Sequence, residues 1–399
     1  MEKKINLEIF EEQLKLLKEE PQFFTSIQPY QKEIFNPFQE SFEKRGKSLL
    51  AAGKVGCILV AGGQGTRLRF QGPKGCFPVT PVKNKSLFQL FAEKLHAASL
   101  QVGCPLKMAI MTSVDNHASV LAHFIANDYF GCSPMQINFF KQGELPFLDV
   151  NGKLIRQDNR ILTGPDGNGS SIQTFFASSL AQQWEKEGVT FVNFISVDNP
   201  LADPFDAHLV GAHAINANDI SLKCIKREDP EELLGLLAEA SGRPVVIEYM
   251  EAPKEIWTLK EKSGVPTYSL ANISLFCFSY SFLAKVANYK MPLHKAFKNG
   301  VWKFERFIFD VLNFTQKSQV FLYPRKFCFA PVKNFTGKNS PETAKLALTL
   351  RDREVIGALT GQSVPLSCLE IDPSFYYPTE ILLTKWIGKK IPDNPYVES

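Results

Sequence analysis

The run Val55-Gly56-Cys57-Ile58-Leu59-Val60-Ala61 is short and apolar, and it stops at Gly62-Gly63-Gln64-Gly65-Thr66-Arg67-Leu68. A run of that length bounded by glycine reads as a parallel strand buried on both faces. The glycines after it allow a tight turn and a close approach of backbone to a ligand, with N–H groups free to face a phosphate. Lys74 follows nine residues after Gly65, inside Gly72-Pro73-Lys74-Gly75, where proline stiffens the approach of a cation to the same loop. Arg67 and Lys74 are thus placed to flank one polyphosphate.

Two better-known phosphate loops do not fit. A Walker A loop needs Ser or Thr directly after its lysine, and Lys74 is followed by Gly75. A dinucleotide fingerprint needs a third glycine where Leu68 stands and an acid about 20 residues on, where Lys83 and Lys85 lie. A plain turn after a strand remains the alternative to a phosphate site.

Short apolar runs recur at 107–112, 136–140, 191–197, 220–225, 245–249 and 274–278. Helical stretches at 87–100, 170–187 and 304–314 separate some of them, which predicts an α/β fold with a mainly parallel sheet. Residues 5–19 have helical spacing and end before Pro21, so residues 1–50 read as an N-terminal helical segment. The catalytic core is expected over 51–334 and a small C-terminal region over 335–399.

Lys plus Arg exceed Asp plus Glu by only four, without a dense basic block, which argues against a nucleic-acid partner. No apolar stretch approaches the roughly 18 residues of a bilayer span, and the amino terminus lacks a signal-peptide pattern. The eight cysteines are widely spaced, without C-x-x-C or a zinc-type pattern. Reduced thiols and a cytoplasmic location are the expectation.

The segment Leu59 to Leu68 followed by Pro73-Lys74-Gly75 resembles the UDP-N-acetylhexosamine pyrophosphorylase family of the UDPGP superfamily. The likeness continues in order through Met111-Thr112-Ser113, Gln142-Gly143, Pro165-Asp166-Gly167-Asn168-Gly169, Val197-Asp198-Asn199, Glu248-Tyr249 and Asn272-Ile273. It ends with Lys303 to Asp310 and Pro331-Val332-Lys333-Asn334, so it spans roughly residues 55–350. One position departs: the family usually has glycine after Thr-Arg-Leu, where this chain has Arg69.

The resemblance implies a Rossmann-like nucleotidyltransferase core that makes UDP-N-acetylglucosamine and pyrophosphate from UTP and N-acetylglucosamine 1-phosphate. It implies that Ala61, Gly62, Gly63, Gly65, Thr66, Lys74, Gln142, Gly167 and Asn168 hold the nucleotide. Asn199, Gly235, Glu248, Asn272, Lys303, Phe307 and Lys333 would take the sugar and its phosphate. Arg67, Lys74 and Lys333 would carry the catalytic charge. Asp198, at the end of an apolar strand where α/β proteins place ligand sites, would bind Mg2+. Gly167 and Gly169 flank Asn168, so backbone there can lie against the base or ribose. Lys333 follows the apolar run Phe327 to Val332, where a cation needs a partner such as phosphate.

Three readings stay open on these residues. Gln64 and Arg67 in the loop, together with the segment Pro331 to Ala344, resemble the N-acetylhexosamine branch rather than the glucose 1-phosphate enzymes. A UTP–glucose-1-phosphate uridylyltransferase or a broad UDP-sugar pyrophosphorylase is the alternative. The third is a non-catalytic UDP-sugar sensor, suggested by Arg69.

Overall fold

The computed structural model describes residues 6–19, 27–364 and 368–399. Eight strands form the spine of a mixed sheet: β1 (Ile34–Phe35), β2 (Val55–Val60), β3 (Lys107–Thr112), β4 (Ile137–Lys141), β5 (Phe191–Ser196), β6 (Ile220–Lys226), β7 (Leu270–Ser279) and β8 (Ser318–Leu322). Their order is β1-β8-β6-β7-β5-β2-β3-β4. Only β7 runs antiparallel to its two neighbours, and the other pairings along this path are parallel. The expected mixed, mostly parallel sheet is therefore observed. A hairpin of Gly235–Ala240 and Arg243–Ile247 branches from β7, and Ile27–Pro29 pairs with its first strand.

β2 is apolar throughout because both its faces are covered. Cys57, Leu59 and Ala61 pack into one core and Ile58 into another, which puts the two cores on opposite faces. From β2 the chain steps to β3 and β4 on one side, then crosses back to β5 on the other. A reversal of that kind opens a crevice beyond the carboxyl ends of β2 and β5.

Helix α1 (Leu7–Lys18) starts where the Asn6 side chain accepts from the Ile9 N–H at 3.4 Å. The expected start at Ile5 and the Pro21 stop lie outside the described residues. Helices α2 (Glu40–Ala51), α3 (Leu87–Val102) and α4 (Ala207–Ile215) cover one face. α2 and α4 cross with their backbones almost touching: an ideal Cβ on Gly211 would lie 1.7 Å from the Phe42 carbonyl oxygen, and one on Gly46 1.8 Å from that of Ala207. No rotamer change relieves a clash with backbone. Gly211→Ala is therefore expected to cost about 3 kcal/mol, the upper range for overpacking, read as a lower urea midpoint at unchanged slope. Wild-type stability in that variant would contradict the close crossing.

Two helical expectations are corrected. The stretch 170–187 is two helices, Ser171–Phe176 and Ser179–Lys186, because the Ser178 hydroxyl accepts from the Leu180 N–H and starts a second helix. Residues 304–314 are not one helix. Val301–Glu305 is a strand paired with His294–Lys298 across a turn at Asn299-Gly300, both at positive φ, and only Ile308–Phe314 is helical, as 3-10 turns.

Helix α5 (Pro341–Thr360) begins at a capping box of Ser340 and Thr343. Ile356, Ile371, Phe375, Trp386 and Val397 form a small core beside it. This part is pinned to the main body by Glu370, whose carboxylate accepts from the Val82 and Lys83 N–H groups at 2.8 Å each.

Candidate active site

A cleft of about 230 Å³ opens at the carboxyl ends of β2 and β5, lined by Gly62, Gly63, Lys74, Gln142, Asn168 and Asp198 among others. Parallel pairing of Val60 with Ser196 makes the glycine loop and Asp198 leave the sheet side by side. Across the loop, Gly65 N–H donates to the Gly72 carbonyl at 2.9 Å and Lys74 N–H to that of Gly63 at 3.1 Å. This folds Lys74 back over its own glycines.

Lys74 is 8 % exposed, and its Nζ stands 3.8 Å from an Asp198 oxygen. Burial lowers its pKa, Asp198 opposes that shift, and the charges of Arg67 and Lys333 push further down. Two cations of the loop and Lys333, from far along the chain, therefore act on one place, with Asp198 beside Lys74. Lys333 arrives through the backbone: Val332 N–H donates to the Asp198 carbonyl at 2.7 Å.

Arg69 sits at φ 55°, ψ 30°, the left-handed conformation that favours glycine. A glycine would hold this conformation without the cost that a side chain adds. Here the guanidinium lies 4.4 Å from the Phe335 ring centre, a contact that offsets part of the backbone cost.

The segment Asp166 to Gly169 closes the cleft on the far side. An added Cβ at Gly167, where φ is +92°, would fall 2.2 Å from the Arg306 carbonyl oxygen. Gly169 N–H donates to that same oxygen at 2.8 Å, and Asn168 Oδ1 accepts from the Ile308 N–H at 2.9 Å. These glycines thus let residues 306–307 pass, which differs from the reading that they make room for a base or ribose. The Asn168 Nδ2 has no hydrogen-bond partner among the described residues. Gln142 lies where a Cβ on Gly62 would be, 1.9 Å from its Oε1.

Further along, Gly235 pairs opposite Asn272, and a Cβ on Gly235 would lie 3.4 Å from Glu248 Oε1. The register of β6 against β7 shifts between Leu222 and Cys224, and Ser274 there has φ 55°. This bulge lets the Ser274 N–H donate to Asn272 Oδ1 at 3.2 Å and holds the amide in place. Burial raises the pKa of Glu248, with Lys333 acting against the rise. Lys333 is therefore within electrostatic reach of both Lys74 and Glu248. The Phe307 ring stacks on Phe309 with centroids 5.0 Å apart.

Other expected residues point elsewhere. Asn199, 2 % exposed, donates to the Cys328 carbonyl at 2.7 Å and accepts from the Ala330 N–H at 3.0 Å, so its side chain holds the 328–330 loop. Lys303 lies over the Phe147 ring at 4.9 Å. Ala61 is buried, its N–H bonded to Met111 and its carbonyl to Asn116. Gly65 packs against Phe70, and Thr66 is exposed at the start of a 3-10 turn.

Sequence reasoning missed Glu305, which lines the cleft and whose pKa burial raises, and the Asp166–Arg306 pair at 3.9 Å. It also missed His294, between Glu251 and Asp310. Glu305, Arg306 and Asp310 all lay inside a segment already singled out, whereas nothing local marks His294.

Asp198 is a hard oxygen donor whose side chain is 19 % exposed beside a long ion pair. No group of three or more His, Cys, Asp or Glu able to hold a metal occurs among the described residues. One carboxylate without a protein cage fits Mg2+ bound largely through substrate phosphates and water, and excludes a zinc-type site.

The family model described as UTP–glucose-1-phosphate uridylyltransferase, UDPGP, matches residues 4–336. UDP-N-acetylglucosamine diphosphorylase 1 of Arabidopsis thaliana is 32 % identical over 377 residues, covering 86 % of this chain and 74 % of that protein. UDP-N-acetylglucosamine pyrophosphorylase of Saccharomyces cerevisiae is 32 % identical over 349 residues, covering 80 % and 73 %. A crystal structure from Entamoeba histolytica, of a protein only provisionally assigned as a UDP-N-acetylglucosamine pyrophosphorylase, superposes with a TM-score of 0.81 at 26 % identity, covering 93 % of this chain and all of that one. Matched over most of its length by that model, with the glycine loop, Lys74 and Asp198 gathered in one cleft, the chain belongs to the UDPGP family.

Proposed function

We propose that this protein is a uridylyltransferase that joins UTP to N-acetylglucosamine 1-phosphate, forming UDP-N-acetylglucosamine and releasing pyrophosphate. The observation that carries the reading is Lys74 at the mouth of the glycine loop, 3.8 Å from Asp198 and within the field of Arg67 and Lys333. A triphosphate needs such a cluster, and a lone turn does not. The acetylated sugar is favoured over glucose by the two relatives at 32 % identity, both named for UDP-N-acetylglucosamine. The glucose reading stays the alternative, because the family model itself is described for glucose 1-phosphate.

The sugar 1-phosphate oxygen attacks the α-phosphorus of UTP in line, and pyrophosphate departs from the opposite side. The nucleophile is already an anion, so no general base is needed. What the protein supplies is position and charge in a shielded cleft. Gly62 and Gly63 line it with bare backbone, Lys74 and Arg67 flank the polyphosphate, and Asn168 Nδ2 is available to the nucleotide. Lys333 lies between the two substrates and draws their phosphates together. Mg2+ held by Asp198 would neutralise phosphate charge. All eight cysteines are free thiols, which suits a reducing compartment such as the cytoplasm.

The test is product analysis. UTP with N-acetylglucosamine 1-phosphate and Mg2+ should yield UDP-N-acetylglucosamine and pyrophosphate in equal amounts. Excess EDTA should abolish the reaction, and turnover that survives EDTA would remove the metal from the account. Binding of the UDP-sugar without pyrophosphate release would favour the sensor.

A further inference from the structure

We propose that His294 is a positioning residue of the sugar pocket: its ring, bridging the carboxylates of Glu251 and Asp310, fixes both the Glu248 turn and the Phe307 ring. The inference rests on the reading of Glu248 and Phe307 as sugar-binding and goes beyond it by naming the residue that holds both.

The geometry ties three separate pieces of chain together. His294 Nδ1 is hydrogen-bonded to Glu251 Oε1, and Nε2 to Asp310 Oδ2 at 2.9 Å. Glu251 belongs to the turn that opens at Glu248: the Glu251 and Ala252 N–H groups donate to the Glu248 carbonyl at 2.9 and 3.2 Å. Asp310 lies three residues beyond Phe307, and its N–H donates to the Phe307 carbonyl at 3.2 Å. The imidazole ring itself sits 4.8 Å from the Phe307 ring and 6.1 Å from Phe309, centre to centre. One side chain thus links the turn that carries Glu248 to the segment that carries Phe307.

Burial works against a charge on His294, yet the hydrogen bonds and charges of Asp310 and Glu251 raise its pKa to about 10, so both ring nitrogens donate near neutrality. Glu248 and Glu305 also feel its charge, while Lys333 acts on Glu248 from the phosphate side. Without the cation, Glu251 would repel both Asp310 and Glu248, and the turn would shift relative to Phe307. Such a shift disturbs the sugar and leaves the glycine loop alone.

The test is a KM split in His294→Ala and His294→Gln, the second keeping a donor for one carboxylate. His294→Ala is expected to raise the KM for N-acetylglucosamine 1-phosphate roughly tenfold or more, with the KM for UTP changed by less than about twofold. His294→Gln should recover part of that loss. Equal changes in both KM values, no change in either, or failure of both variants to fold would overturn the proposal and leave His294 a purely structural residue. The underlying reading fails in a different way: wild-type protein would then release no pyrophosphate with this sugar phosphate at all.

Discussion

Lys333→Ala is expected to lower kcat by roughly 10²-fold or more in a protein that stays folded, a loss of about 3 kcal/mol of transition-state stabilisation. The charge of Lys333 reaches both Lys74 in the nucleotide half and Glu248 in the sugar half. In the transition state the α-phosphorus takes on a fifth oxygen while three phosphates and the sugar phosphate crowd together. A fixed ammonium between them is worth most at that moment, so the loss should fall mainly on kcat rather than on the KM for UTP. The backbone around it does not depend on the side chain, since Val332 and Lys333 are held by N–H donation to Asp198 and Asn339 at 2.7 Å each. Far-UV circular dichroism and the thermal midpoint should therefore match the wild type. Near-normal kcat in such a folded variant would place Lys333 outside the reaction.

Much of this site was legible in the sequence because phosphate chemistry is local. The strand at 55–60, the glycines after it and Lys74 lie within 20 residues of one another, and pairing of β2 with β5 then brings in Asp198. Short apolar runs also placed β3 at 107–112 and β6 near 220–225, because strands covered on both faces are rich in apolar residues. The hairpin at 294–305 was missed although Asn299-Gly300 is a strong two-residue turn signal. Lys295, Lys298 and Lys303 break up its apolar pattern, and Phe304, Phe307, Ile308 and Val311 look helical in isolation.

The sugar half was harder to read, because it is assembled from long-range contacts. His294, Glu251 and Asp310 come from three separate elements, and no spacing rule links them. Asn199 shows a related limit. It follows Asp198 directly, but the turn after β5 directs its amide away from the cleft into the 328–330 loop. Gly167 shows the same limit in another form: its need for glycine is plain, yet the neighbour that imposes it, Arg306, comes from a distant segment of the chain.

The choice of sugar should also have a large effect: N-acetylglucosamine 1-phosphate is expected to exceed glucose 1-phosphate in kcat/KM by about tenfold to a thousandfold. Asn272, Glu248 and Phe307, which we propose line the sugar site, are each held in place by neighbours. The Asn272 amide is held by Ser274, Glu248 is tied into its turn, and Phe307 is stacked on Phe309. A rigid pocket shaped to an acetamido group leaves a void and unpaired polar atoms when a hydroxyl takes its place. Each unpaired buried group costs about 1–3 kcal/mol, so one or two account for the range given. The most direct measurement offers both sugar phosphates at equal concentration with limiting UTP and Mg2+, and reads the ratio of the two UDP-sugars formed. That ratio equals the ratio of the two kcat/KM values. The account predicts at least a tenfold excess of UDP-N-acetylglucosamine, and an excess of UDP-glucose would contradict it.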